Sequence, residues 1–300
     1  MTSVSMKAAC RESGRRPGRG LAFSAGAAAL WFAMAGVAQA LSAAPGPGLS
    51  PHEAVYDLSL DAGVSSDTIS DAEGRMVYHF WGSRCDGYNT KLRFVTRISD
   101  SDGNARLTDV ATSTFEDPDG KSFSFATKSY VDGTLTEDST GSAERENGKL
   151  HVTMAKPKSR RFDIAPRFQF PSQHLTRIID AAARGEPFVQ VDLFDGSEKG
   201  EKPYATAAVI GAVNTGADNL GDEAAAEAAG IANVRHWPVT LSYFDENATG
   251  EQKPSYQLSF IVYENGVTRR MRLDYGDFAL TGKLVRLDMK PGQAAGKRYP

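Results

Sequence analysis

Between His52 and Met154 apolar or β-branched residues recur at every second position, in run after run. The segments "HEAVYDLSL", "GRMVYHFWG", "TKLRFVTRIS", "ARLTDVATSTFED", "KSFSFATKSYV", "GTLTEDSTGSAE" and "GKLHVTM" follow one another, and the turn signals "SDSDGN", "DPDG", "VDG" and "ENG" separate most of them. A period of two puts one set of side chains on a buried face and the other in water, which is the signature of half-buried strands. Seven strands in about a hundred residues, joined by turns short enough for hairpins, dictate an antiparallel meander.

One segment breaks the period. "PSQHLTRIIDAAARGEP" opens on Pro171, offers Ser172 as N-cap, places Leu175, Ile178, Ile179 and Ala182 on one face, and stops at Gly185 before Pro187. It predicts one main helix near residues 172–184, lying across the mouth or the concave side of the sheet. Strands then resume in "PFVQVDLFDG", "YATAAVIGAV", "HWPVTLSYFDE", "PSYQLSFIVYENG" and "VTRRMRLDYGDFALTGKLVRLDM". Asn265-Gly266 predicts a type I′ hairpin, because both residues tolerate a positive φ. The small, acidic, Ala-rich stretch "NTGADNLGDEAAAEAAGIANVR" reads as a long inter-strand loop containing a helical turn or two. The fold class is therefore mainly β: a single strongly curved antiparallel sheet with one main α-helix.

The first 40 residues differ from all of this. Lys7, Arg11, Arg15, Arg16 and Arg19 form a basic start, an uncharged apolar run spans Leu21 to Val37, and "AQA" closes at Ala40. That is the anatomy of a secretory signal with cleavage after Ala40, a membrane anchor being the alternative. "GRRPGRG" is a poor match to a twin-arginine signal. The expected organisation is a signal peptide over 1–40, a flexible leader over 41–51, one domain over 52–290 and a flexible tail over 291–300. Removing the signal leaves 29 basic residues against 36 acidic ones. An acidic chain without a basic stripe argues against nucleic acid as a partner and against attraction to anionic lipid surfaces.

No catalytic or metal constellation is visible. The five histidines, His52, His79, His151, His174 and His236, show no metal-ligand spacing and read as strand or helix surface residues. There is no GxSxG elbow. Paired carboxylates such as Asp100 with Asp102, or Asp117 with Asp119, sit beside glycines at hairpin tips. The reading assigns no catalytic residue, no cofactor and no metal. Alternating aromatics, Tyr78 with Phe80 and Phe123 with Phe125, are core candidates, and a meander curved around a helix can also enclose an apolar cavity.

Several long stretches resemble the EipB envelope-integrity family of alphaproteobacterial periplasmic proteins: "HEAVYDLSL", "GRMVYHFWGSRCDGYNTKLRFVTRI", "RLTDVATSTFEDPDGKSFSFATKSYVDG", "FDGSEKGEKPY" and "YENGVTRRMRLDYGDFALTGKLVRL". The resemblance spans about His52 to Leu287. It implies a soluble periplasmic protein with a spiral antiparallel sheet wrapped near a helix, a role in envelope integrity under stress and no catalytic activity. It also implies binding of an unidentified envelope protein or apolar ligand, with carriage of lipid or lipoprotein acyl chains as the alternative, and no stable membrane insertion once the signal is gone.

The family's cysteine in "CDGY", here Cys85, is implied to be half of a disulfide to a cysteine near the C-terminus. This chain ends "LDMKPGQAAGKRYP", and its one other cysteine is Cys10. The expectation is a half-cystine whose partner is absent, lying near the strand of Leu280 to Leu287 or the tail after it, and facing a residue that is not cysteine. A small buried thiol, a disulfide dimer through Cys85 and a nucleophile are the three uses such a residue could serve.

Overall fold

In the computed structural model the described residues are 48–64, 66–215, 220–245 and 253–291. Ala40, Cys10, the leader up to residue 47 and the tail from 292 lie outside them. All seven expected strands form: β1 (His52–Leu60), β2 (Ile69–Ser83), β3 (Gly87–Asp100), β4 (Ala105–Glu116), β5 (Ser122–Val131), β6 (Thr134–Glu146) and β7 (Lys149–Lys156). An eighth, β8 (Arg160–Ile164), follows where the sequence shows only charge and a proline. After helix α1 (Pro171–Ala183) come β9 (Phe188–Gln190), the single turn α2 (Ser197–Gly200), β10 (Tyr204–Ile210), α3 (Ala224–Ala228), β11 (His236–Asp245), β12 (Tyr256–Tyr263), β13 (Thr268–Asp274) and β14 (Ala279–Met289).

The strands make one sheet in the order β8-β7-β6-β5-β4-β3-β2-β1-β14-β13-β12-β11-β10-β9. Strands β1 and β14 meet in the middle, where His52 opposes Met289 and Leu60 opposes Leu280. Only the connection from β8 to β9 leaves its neighbour, and it carries α1 from one edge of the sheet to the other. Both edges are short, and among the described residues no ladder joins them, so the sheet is open and not a closed barrel. Short edges are a common protection against edge-to-edge pairing.

Alternation decides which face α1 covers. In β1 the residues Ala54, Tyr56 and Leu58 are buried while Val55 and Asp57 are not. These join Phe80, Trp237, Val262, Tyr263 and Leu284 in the main core, packed on Ile178, Ile179, Ala181 and Ala182 of α1. Burying a side chain such as Ile178 contributes about 1.5–3 kcal/mol, and its exposure is 1%. A second core lies under β5 to β7, where Phe123, Phe125, Leu150, Val152 and Met154 pack against Phe168, Phe170 and Phe194. The segment leading into α1 therefore fills one core and the helix fills the other.

Two local expectations change. The N-cap of α1 is Phe170 and not Ser172, with Pro171 at the first helical position where its missing N–H is harmless. The β12–β13 hairpin is not type I′: Gly266 alone has a positive φ, at 88°, and Asn265 does not. Gly266 N–H donates to Tyr263 O and Tyr263 N–H to Val267 O, which is a three-residue loop ending in a left-handed glycine. The Cβ that residue 266 lacks would lie 2.7 Å from Leu49 Cδ2, so the loop also needs glycine for the approach of the leader.

Candidate functional site

Two buried carboxylates hold this fold together from the inside. Glu116 ends β4 on the face turned towards α1 and is 3% exposed. Its Oε1 accepts the backbone N–H of Ser172 at 2.7 Å, and its Oε2 accepts the Ser172 hydroxyl at 2.5 Å and the N–H of Gln173 at 3.4 Å. A strand carboxylate thus does for the helix N-terminus what an N-cap side chain does elsewhere. Burial pushes the Glu116 pKa up to about 7, against these donors, which pull it down.

The pH consequence has a definite sign. A carboxyl whose folded pKa is raised gives its full stability below the unfolded value of 4.5 and loses it as pH rises through about 7. Wild type should therefore lose on the order of 3 kcal/mol relative to Glu116→Gln between about pH 5 and pH 8, at 1.36 kcal/mol per pH unit. Urea unfolding of the two proteins across that range measures it, and parallel pH profiles would refute the assignment. His174, on the same helix, works in the opposite direction: burial holds its pKa down to about 4, so its contribution is present above 6.5 and falls away towards 4. It is common to both proteins and cancels in the difference.

The second carboxylate is Glu223, immediately before α3 in the Ala-rich loop. Its Oε2 is 2.7 Å from Nη1 of Arg269, with the two side chains 3% and 0% exposed. Its Oε1 accepts the N–H of Leu284 in β14 at 2.8 Å and of Arg270 in β13 at 3.3 Å. The β13–β14 ladder ends at Met271 and Gly282. Beyond that point the Glu223 carboxylate bridges the backbones that the strands no longer pair. Arg270 has φ of 51°, and the β12–β13 register shifts beside it, so the bulge there is held by the loop. Arg269 Nε also donates to the Tyr263 hydroxyl at 2.8 Å. Burial raises the Glu223 pKa and lowers that of Arg269 to about 10.

The face of β2 to β7 opposite the cores is different in character. Cross-strand partners His79, Lys91, Ser113, Ala126, Thr140 and Lys156 form one row, and Val77, Arg93, Ala111, Lys128 and Asp138 form the next. Both rows line a cavity of about 590 Å³. Small side chains on the middle strands, Ala111, Ser113 and Ala126, make its floor, and longer ones rise on either side. A neighbouring cavity of about 300 Å³ continues it past Trp81 and Phe115. The sequence contains every one of these residues, but only the strand register aligns them.

The chain matches the EipB-like family over residues 43–291. The chain belongs to the EipB-like family. It is 41% identical over 266 residues to the cell envelope integrity protein EipB of Brucella abortus (strain 2308), covering 89% of this chain and 93% of that one. A crystal structure of a beta-barrel-like protein of a domain of unknown function, also from Brucella abortus, matches with a TM-score of 0.74 and 42% identity, over 82% of this chain and all of that one. The spiral, open-barrel-like sheet expected from the resemblance is thus the fold of this EipB-like chain.

The remaining sequence candidates sit as follows. Cys85 lies in the β2–β3 turn, where Ser83 Oγ accepts its N–H at 3.2 Å and donates to Asp86 Oδ2 at 2.7 Å. His52 opposes Phe80 on one side and Met289 on the other, so this turn stands at the end of the sheet where β14 leaves. Gly82 makes the turn's tight approach possible, with φ of 121° and a missing Cβ that would lie 2.1 Å from Gly87 O. Cys85 is disulfide-bonded in this full-length chain; the other cysteine of the chain, Cys10, lies outside the described residues, in the segment expected to leave with the signal.

The histidines also divide. His79 and His151 are surface residues beside Glu53 and Asp163. His52, His174 and His236 are buried, contrary to the surface reading, because their polar atoms find local partners: Ser50 O, Thr206 Oγ1 and Val234 O, each at 2.8 Å. Among the described residues no three His, Cys, Asp or Glu side chains converge as a metal site, and no helix is long and apolar enough to cross a membrane.

Proposed function

We propose that this chain is an exported, non-enzymatic protein of the periplasm that supports cell-envelope integrity by holding a protein or an apolar ligand against its curved sheet. The observation that carries the reading is the 41% identity, across 89% of the chain, with a protein named for envelope integrity. Export is supported by the basic, apolar and small-residue succession that ends at Ala40. Binding without catalysis is supported by how the buried polar groups are used. Glu116 is committed to the backbone N–H and hydroxyl of Ser172 at the start of α1, and Glu223 to Arg269 and to backbone N–H groups of β13 and β14, so both serve the fold itself.

A second reading, carriage of lipid or lipoprotein acyl chains, is favoured by the cavity of about 590 Å³. Such a chain would lie on the face opposite α1, since Ile178, Ile179, Trp237 and Phe260 fill the face that α1 covers.

Native mass spectrometry of the protein taken from its own periplasm tests both. The expected spectrum shows the mature chain with a bound protein or small molecule. Lipid adducts favour the second reading, and a spectrum of bare chain alone, under conditions that preserve a control complex, contradicts binding altogether.

A further inference from the structure

We propose that the cavity on the face of β2 to β7 binds a fatty-acid-like amphiphile, one alkyl chain ending in a carboxylate. The inference deepens the ligand-binding part of the proposed function by naming the site and the chemistry. Its charge is the first argument. The mature chain is acidic, yet this cavity is lined by Lys91, Arg93, Lys128 and Lys156, with His79, against the single carboxylate of Asp138. Two of the four bases are engaged: Lys156 with Asp138 at 2.9 Å, and Arg93 with Asp109 at 2.8 Å. Lys91 stands 5.6 Å over the Trp81 ring, a contact that leaves its ammonium open to an anion.

The second argument is the floor. Ala111 and Ser113 in β4 and Ala126 in β5 lie directly between the longer side chains of β3 and β7. Their neighbours Lys91 and Arg93 add aliphatic stems with the charge at the tip. This combination suits an occupant that is apolar along its length and anionic at one end. The volume lies within the range of about 300–1,000 Å³ typical of sites for one small ligand. A polyanion would meet too few cations here, and an uncharged chain would leave the lysines without a counter-charge.

The test is calorimetric titration of laurate, below its micelle concentration, into protein purified from cells that express the full chain, with dodecyl maltoside as the same alkyl chain on an uncharged head. Wild type should bind laurate at least tenfold more tightly than dodecyl maltoside, and more weakly as salt rises. Lys91→Glu/Lys128→Glu should weaken laurate at least tenfold and leave dodecyl maltoside within twofold. Ala111→Trp, and independently Ser113→Phe, should weaken both ligands at least tenfold, with circular dichroism unchanged because both positions face outwards. No laurate binding, equal affinity for the two amphiphiles, or binding indifferent to all these substitutions would overturn the proposal. The envelope role is read separately, in a deletion strain, so the two can fail independently.

Discussion

Glu223→Ala should destabilise the protein by about 3–5 kcal/mol, because it breaks a buried ion pair with the Arg269 guanidinium. The side chain of Arg269 is fully buried, so the charge has no route to water without opening the β13–β14 end of the sheet. The same substitution removes the carboxylate oxygen that accepts the N–H groups of Arg270 and Leu284, just beyond the last β13–β14 pair at Met271 and Gly282. Equilibrium urea unfolding of wild type and variant measures the loss. Glu223→Leu combined with Arg269→Met should recover the part due to the broken ion pair, since replacing a whole buried pair by apolar residues is often neutral, but not the part due to the N–H groups of Arg270 and Leu284. A cost below about 1 kcal/mol for the single variant would mean that the pair is not buried as described.

Phe170→Ala should cost a similar amount, about 3–5 kcal/mol, as expected for a large core aromatic. Phe170 is fully buried, stacks on Phe123 at 5.0 Å, and carries the Arg145 guanidinium over its ring at 4.9 Å. It is also the residue from which α1 begins, so the loss should not stay within the second core. Hydrogen exchange should show faster exchange in the first turn of α1 as well as in β5 and β7. If protection of the helix is unchanged while global stability falls, the two cores are independent, and the segment before α1 does not couple them.

Much of the fold is legible in the sequence because its main device is local. Period-two alternation and Asp/Gly turns mark β1 to β7 directly, and the 3.6-residue spacing of Leu175, Ile178, Ile179 and Ala182 marks α1. What escapes is what depends on partners distant in the chain. Glu116 reads as one more polar strand end until Ser172, 56 residues later, is seen to bond it. Glu223 sits in a stretch that reads as loop, and its role rests on Arg269 and Leu284, which only the fold brings near. Strand β8 is hidden by "KPKSRRFD", whose charges suggest a connection, although Phe162 still pairs with Val152. Buried histidines read as surface residues in the sequence because residue type is a weak guide where a single local carbonyl or hydroxyl can satisfy an imidazole. The candidate site was least legible of all. Lys91, Ala111, Ser113, Ala126 and Lys128 lie on separate hairpins, and a one-residue change of register would put any of them on the other face.

The central proposal is that this chain supports cell-envelope integrity, and a clean deletion strain tests it most directly. Growth should become sensitive to detergents, bile-like amphiphiles and cell-wall antibiotics, and a wild-type copy supplied in trans should restore resistance. Unchanged sensitivity in the deletion strain, under conditions where the protein is shown to be made in the parent, would contradict the account.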